Sequence, residues 1–262
     1  MTPGSDSGYG GMRLLAMDPA SGALTVSDTI DSNWSHDSAF SVGDVLGTGA
    51  DQILLGTAKL YDNYFTAFDL ASNTKKWSST NTNGGGAAIA HADLNKDGID
   101  DFIGITSNGY LQAYDVAHQT VLWGSTGLNG GRDVAVADLD GDGKPEVYVL
   151  ASSGVGSSGG TIYQLDNTLK LLNSYAVTGA ASLSLESSAF GRKNLVVATG
   201  GDYFSATPAM VRILDASTGK QVWASPPLLG PVPKGSLSFC DPSGSGTLGL
   251  AFGTSFGMYL TQ

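Results

Sequence analysis

Two stretches of this chain could wrap a metal ion. Asp93, Asn95, Asp97 and Asp101 stand at positions one, three, five and nine of a loop with Gly98 at position six. Asp138, Asp140, Asp142 and Glu146 repeat the arrangement around Gly143, 45 residues later. Oxygen side chains at such close intervals suit a hard cation, calcium above all, which takes carboxylates, amide oxygens and a backbone carbonyl. The carbonyl at position seven, from Ile99 and from Lys144, is expected to complete each set. Glycine at position six permits the sharp turn. Without a cation the gathered carboxylates would repel one another.

A helix–loop–helix hand, or a dockerin-type loop, would need a bidentate Glu at position twelve and helices on both sides. Position twelve is Gly104 in the first loop and Val149 in the second. The flanks Phe102-Ile103-Gly104-Ile105 and Val147-Tyr148-Val149-Leu150 are short, β-branched and aromatic, so each loop joins two strands.

Aligning on these loops gives a repeat. Further copies start at Asp44 and at Asp241, and a shortened one spans Ser188–Leu195. Leu46, Thr48 and Gln52 replace charged or amide ligands in the copy at Asp44. The copy at Asp241 lacks a carboxylate at nine, and the short copy carries Arg192 and Lys193. Two occupied and three empty sites are expected. About 20 residues after each loop a strand ends in a recurrent aspartate, as at Asp69, Asp115, Asp166 and Asp215, with Asp18 as an N-terminal echo. Trp77, Trp123 and Trp223 follow eight residues after three of them and are expected to pack between repeats. Each repeat thus supplies strands A and B around the acidic loop, C up to the aspartate, and D near the tryptophan. Four antiparallel strands per 40–50 residues predict an all-β fold, a β-propeller of four-stranded blades.

The acidic loops resemble the FG-GAP and VCBS-type repeats of extracellular propellers, among them the head of integrin α chains. The resemblance is carried by Asp93, Asn95, Asp97, Asp101 and by Asp138, Asp140, Asp142, Glu146. It implies two structural calcium ions and a home outside the cytosol. The segment Leu214-Asp215-Ala216-Ser217-Thr218-Gly219-Lys220-Gln221-Val222-Trp223 is also similar to quinoprotein-like propeller repeats. Those enzymes need eight blades and a cofactor pocket. This chain is too short for eight blades and holds a single cysteine, Cys240, so the blade carries over and the cofactor does not.

Residues 1–10 read as a linker or a cloning start, and 11–262 as one propeller domain, expected to be the C-terminal portion of a longer exported protein. Five blades are expected, with Gly22–Ile30 completing the blade begun by Lys234–Gln262. One C strand, Arg13–Met17 or Met258–Thr261, is then surplus. The alternative is part of a six- or seven-bladed ring. The net charge of −11 argues against nucleic acid and anionic membrane surfaces as partners. No apolar run approaches the ~20 residues of a membrane span. The high calcium outside cells favours a secreted, periplasmic or cell-surface location.

Of the three histidines, His91 precedes the first acidic loop by two residues and reads as a packed or solvated side chain, with lining the channel or buttressing the loop as the functional alternative. His118 falls in a C–D turn and His36 in a linker. The recurrent aspartates read as turn caps, because catalytic carboxylates would be unique to one blade. The expectation is therefore a non-catalytic binding or adhesion module for a protein or glycan. The alternatives are a propeller-based carbohydrate-active or phosphate-ester enzyme, or a scaffold subunit of a cell-envelope complex. Recognition is expected on the variable B–C loops, through Tyr61 and Tyr64 and through Asp202, Tyr203 and Phe204.

Overall fold

The structure is a computed structural model. It describes residues 13–26, 39–57, 63–152, 159–177, 180–186, 193–199, 208–241, 244–246 and 249–261. Among these residues there is no helix, and the fold class is the expected β-propeller. The chain falls into two compact units, Met1–Gly127 and Leu128–Gln262.

The first unit opens with a hairpin of β1 (Leu15–Met17) and β2 (Leu24–Val26). A four-stranded blade follows: β3 (Ala39–Gly43), β4 (Gln52–Gly56), β5 (Phe65–Asp69) and β6 (Thr74–Ser78). The next blade is β7 (Gly86–Ala92), β8 (Asp101–Thr106), β9 (Tyr110–Asp115) and β10 (Thr120–Gly127). The second unit holds β11 (Gly131–Ala137), β12 (Glu146–Ala151), β13 (Gly160–Leu165) and β14 (Leu171–Val177), then β15 (Ala180–Glu186), β16 (Asn194–Thr199), β17 (Met210–Asp215) and β18 (Gln221–Ala224). It ends with a three-stranded sheet, β19 (Leu237–Cys240), β20 (Gly249–Thr254) and β21 (Gly257–Thr261). Every pairing is antiparallel between chain neighbours.

The sequence gradient across each blade explains these positions. The B strands β8, β12 and β16 are buried along their whole length, as their unbroken apolar runs require. The D strand β6, Thr74-Lys75-Lys76-Trp77-Ser78, is polar and exposed apart from Trp77, which keeps a free edge from recruiting another strand. The C–D pairings of all four complete blades carry a register shift, which adds local twist.

Successive blades bury apolar side chains between them. In the first unit Phe65 lies 5.2 Å from Phe102, and Trp77 lies 4.9 Å from Tyr114, measured between ring centres. Trp77 therefore packs between blades as its spacing predicts. Trp223 also packs where blades meet, against the cluster that joins Val196 and Val211 to Leu250 and Phe252. Tyr175 takes the equivalent place on β14, and its hydroxyl donates to the Ala216 carbonyl of the following blade.

Both candidate surplus C strands are formed. β1 pairs with β2 as a C–D half-blade, and Leu14 beside it packs against Leu55 and Phe68 of the first complete blade. β21 is the outer strand of its sheet and leaves Met258 87% exposed. Residues 27–30, the remainder of the expected closing strand, lie outside the described residues.

Candidate metal centre

Each acidic loop joins strand A to strand B, and its backbone is shaped by its own side chains. Position six is left-handed in all four described copies: Gly49, Gly98, Gly143 and Gly246 have φ of 76, 89, 79 and 80°. Only glycine takes that conformation without penalty. The amide of each of these glycines donates to the carboxylate at position one: Asp44 at 2.6 Å, Asp93 and Asp138 at 2.9 Å, and Asp241 at 2.5 Å. Position two is apolar and buried at Val45, Leu94 and Leu139, so the loop is pinned to the core on one side while its oxygens turn the other way.

In the loop at Asp138 four carboxylates converge. Asp138, Asp140, Asp142 and Glu146 each offer an oxygen, and these atoms lie within 4.8 Å of one another. The Asp140 carboxylate accepts the Asp142 amide at 2.9 Å, and that of Asp142 accepts the Lys144 amide at 2.7 Å. Glu146, at the start of β12, is buried and accepts the Leu139 amide at 2.9 Å. Burial pushes its carboxyl above the usual range against that hydrogen bond, and Asp140 and Asp138 add repulsion. Lys144 places its ammonium 3.7 Å from Asp142 at the exposed rim. Burial, and then the charge and side-chain hydrogen bond of Glu146, hold the buried Tyr148 hydroxyl well above the usual tyrosine range.

The loop at Asp93 is assembled differently. Asp93 accepts the Lys96, Asp97 and Gly98 amides, and Asp101 accepts the Leu94 amide at 2.9 Å. The Asn95 oxygen accepts the Asp97 amide, while its amide nitrogen donates to Asp115 at 3.3 Å. Asp97 accepts the Ile99 amide at 2.8 Å. The group that converges here is Asp97 with Asp115 and His118 from the C–D turn. His118 Nδ1 lies 2.9 Å from Asp115 and 3.4 Å from Asp97. Spacing within the loop did not point to Asp115 or His118. The available signal was that, of the recurrent C–D turns, only this one carries a histidine.

His91 touches the loop, as the functional alternative for it had it. Its Nδ1 pairs with Asp100 at 2.6 Å, and its ring lies so close over Gly43 of the preceding blade that a Cβ there would stand 2.6 Å from it. The recurrent aspartates cap turns, as expected. Asp18, Asp69, Asp115, Asp166 and Asp215 each accept at least one backbone amide of the residues that follow. Of the expected recognition residues, Tyr64 is half-buried. Tyr61, Asp202, Tyr203 and Phe204 lie outside the described residues.

Asp101 makes a pH prediction. In the metal-free loop, burial pushes its carboxyl up to about 7 against the Leu94 and Asn95 amides, and Asp115 and Asp97 add repulsion. The folded protein then holds a proton that the unfolded chain gives up near 3.8. The stability tied to this proton is present at low pH and is lost as pH rises from about 4 to about 7, on the order of 2–4 kcal/mol. Melting in EDTA across that range should show this fall. Asp101→Asn should remove its share of the slope, and calcium should suppress it in the parent protein.

A family model described as an FG-GAP-like repeat matches residues 93–149, the span that holds both acidic loops. The chain carries an FG-GAP-like repeat. No curated protein matches it. Among solved structures, that of Saccharomyces cerevisiae Sqt1 superposes with a TM-score of 0.69 at 13% identity, over 96% of this chain. The chain spans 65% of the length of that structure. The computationally designed Ika4 protein matches at a TM-score of 0.48 and 14% identity, over 68% of this chain and 91% of that one. The Sqt1 likeness shows the fold alone. The FG-GAP-like match agrees with the family to which the two loops are similar in sequence.

Proposed function

We propose that this chain is a calcium-stabilised binding module of the cell exterior, without catalysis of its own, that presents a protein or glycan recognition face. The observation that carries the reading is the meeting of four carboxylate oxygens at Asp138, Asp140, Asp142 and Glu146. An all-oxygen donor set of this charge fits calcium and suits softer metals poorly. The buried hydroxyl of Tyr148 beside Glu146 fits the same picture, since a carboxylate held ionised by a cation is the stronger acceptor for it. In the FG-GAP-like repeat, Asp138, Asp140, Asp142, Glu146 and the Lys144 carbonyl would hold one ion. Asp93, Asn95, Asp97, Asp101 and the Ile99 carbonyl would hold the other.

The ion's part is to tie each A–B turn to the base of strand B. It holds one face rigid and leaves recognition to the B–C loops on the other. Those loops include Tyr61 and Tyr64 and the stretch with Asp202, Tyr203 and Phe204. The net charge of −11 directs the search toward proteins and glycans rather than nucleic acids. No helix of the described residues is long and apolar enough to cross a membrane.

Isothermal titration with calcium should give two sites per chain. Asp138→Ala and Asp97→Ala should each remove one of them. A glycan array and an ectodomain protein panel, probed with and without EDTA, should then show ligand binding that Tyr203→Ala weakens about tenfold or more, as expected for an aromatic anchor. Absence of calcium heat would sink the metal reading. Retained binding in the Tyr203 variant would move recognition off that loop.

A further inference from the structure

The copy of the loop at Asp44 has lost the ligands of its relatives, yet it keeps their backbone shape. Gly47 and Gly49 are left-handed, and Asp44 accepts the Thr48 and Gly49 amides. What differs is position nine. Gln52 is buried at the start of β4, where Asp101 and Glu146 begin β8 and β12. Its Oε1 accepts the Leu46 amide, at position three, at 3.1 Å, as Asp101 accepts the amide of Asn95 at 3.3 Å. Its Nε2 points into the loop. There it meets the Asp44 carboxylate at 3.5 Å, the Thr48 hydroxyl at 3.2 Å and the Ala50 carbonyl. Those partners are positions one, five and seven, the positions from which a cation in this loop would draw its oxygens. The orientation of the amide is fixed by chemistry, since the Leu46 amide can only donate and the Ala50 carbonyl can only accept.

We propose that the side-chain amide of Gln52 stands in for the cation in the first loop, so that position nine decides whether a loop of this kind requires metal. A primary amide suits the task. Its oxygen keeps the cap on strand B, and its two N–H groups offer partial positive charge to oxygens that would otherwise face one another. A carboxylate at the same place keeps the cap but turns a second negative oxygen inward, which a bound cation would balance. The lowered pKa of Asp44 agrees. Burial works against it, but the Thr48 and Gly49 amides and the Gln52 amide outweigh that effect. The first blade can then close its A–B turn with its charge balanced internally, while the loops at Asp93 and Asp138 gain from an ion.

The test uses the full chain, two variants and calcium chloride as the only ligand. Melting curves are recorded in EDTA and in 10 mM calcium for the parent, Gln52→Glu and Gln52→Met. Loss of the amide's inward bonds should lower both variants in EDTA by about 3–6 °C. Calcium should then raise Gln52→Glu by several degrees more than it raises the parent, and titration should count one additional ion. Gln52→Met should gain no more from calcium than the parent does. The proposal is overturned if Gln52→Met melts with the parent in EDTA, or if Gln52→Glu gains nothing extra from calcium. If Gln52→Glu folds only with calcium present, the additional ion in its titration is the deciding readout. The inference rests on the calcium reading for its second arm alone. A failure of that reading would appear as a parent protein indifferent to calcium, with the EDTA difference between parent and Gln52→Met unaffected.

Discussion

Chelation should lower the melting temperature of this protein by about 10–20 °C relative to 10 mM calcium. A ligand that binds only the folded state stabilises it by RT ln(1 + [L]/Kd), about 2.7 kcal/mol per site at a hundred times Kd. Loops of extracellular modules hold calcium with Kd on the order of 0.1–1 mM at the weak end, so 10 mM approaches that ratio. Two sites add to about 5 kcal/mol, and a chain of this size shifts by about 2–4 °C per kcal/mol. The proposed dependence on the ion rests on two groups. Glu146 and Asp101 are buried carboxylates whose protons are held up by burial and by neighbouring acids. Scanning calorimetry in EDTA, in calcium and in magnesium is the measurement. Magnesium should restore little, since it demands tight octahedral geometry and gives up its water reluctantly. Identical curves in EDTA and calcium would remove the ion from the account.

Phe65→Ala should destabilise the protein by about 3–5 kcal/mol, the cost of emptying a fully buried aromatic site. Phe65 is inaccessible to solvent, 5.2 Å from Phe102 and 6.4 Å from Tyr114 between ring centres. It also lies directly on the backbone of the next blade: a Cβ on Gly104 would stand 2.4 Å from its ring. One side chain of strand C thus joins its own blade to strand B of the following one. In a repeat fold each unit is held mainly by its neighbours, so a cavity at this seam weakens coupling between blades as well as the local core. Urea unfolding followed by tryptophan fluorescence is the appropriate readout, because Trp77 lies in the same aromatic cluster, 5.6 Å from Phe102. A midpoint unchanged from the parent would mean that this seam does not bear the load assigned to it.

The blade was legible in the sequence because its signals are local. The unbroken apolar run at Phe102–Ile105, the Asp–turn–Trp spacing around Asp69 and Trp77, and the glycine at position six each depend on a few consecutive residues. Each one reappears in the structure as a buried B strand, a capped turn and a left-handed φ. The site was legible only in part. The set at Asp138 lies within nine residues, and its carboxylates meet as spacing predicts. At Asp93 the partners of Asp97 are Asp115 and His118, which reach it through a hairpin about 20 residues further on.

What the sequence determined alone is the repeat, the strand order and the positions where an oxygen-lined turn forms. These follow from short-range stereochemistry: alternation, glycine conformations and side chains capping the backbone of their own turn. What only the tertiary structure decided is the use to which each turn is put. Gln52 reads in the sequence as a ligand lost. In the fold it is a buried amide directed at Asp44, Thr48 and Ala50, because strand B starts where its first side chain must look back into the loop. His118 reads as a residue of an unrelated turn, and the C–D hairpin brings it beside Asp97. Long-range pairing sets which groups share a small space, and at these distances the shared space decides between an ion, an amide and a histidine.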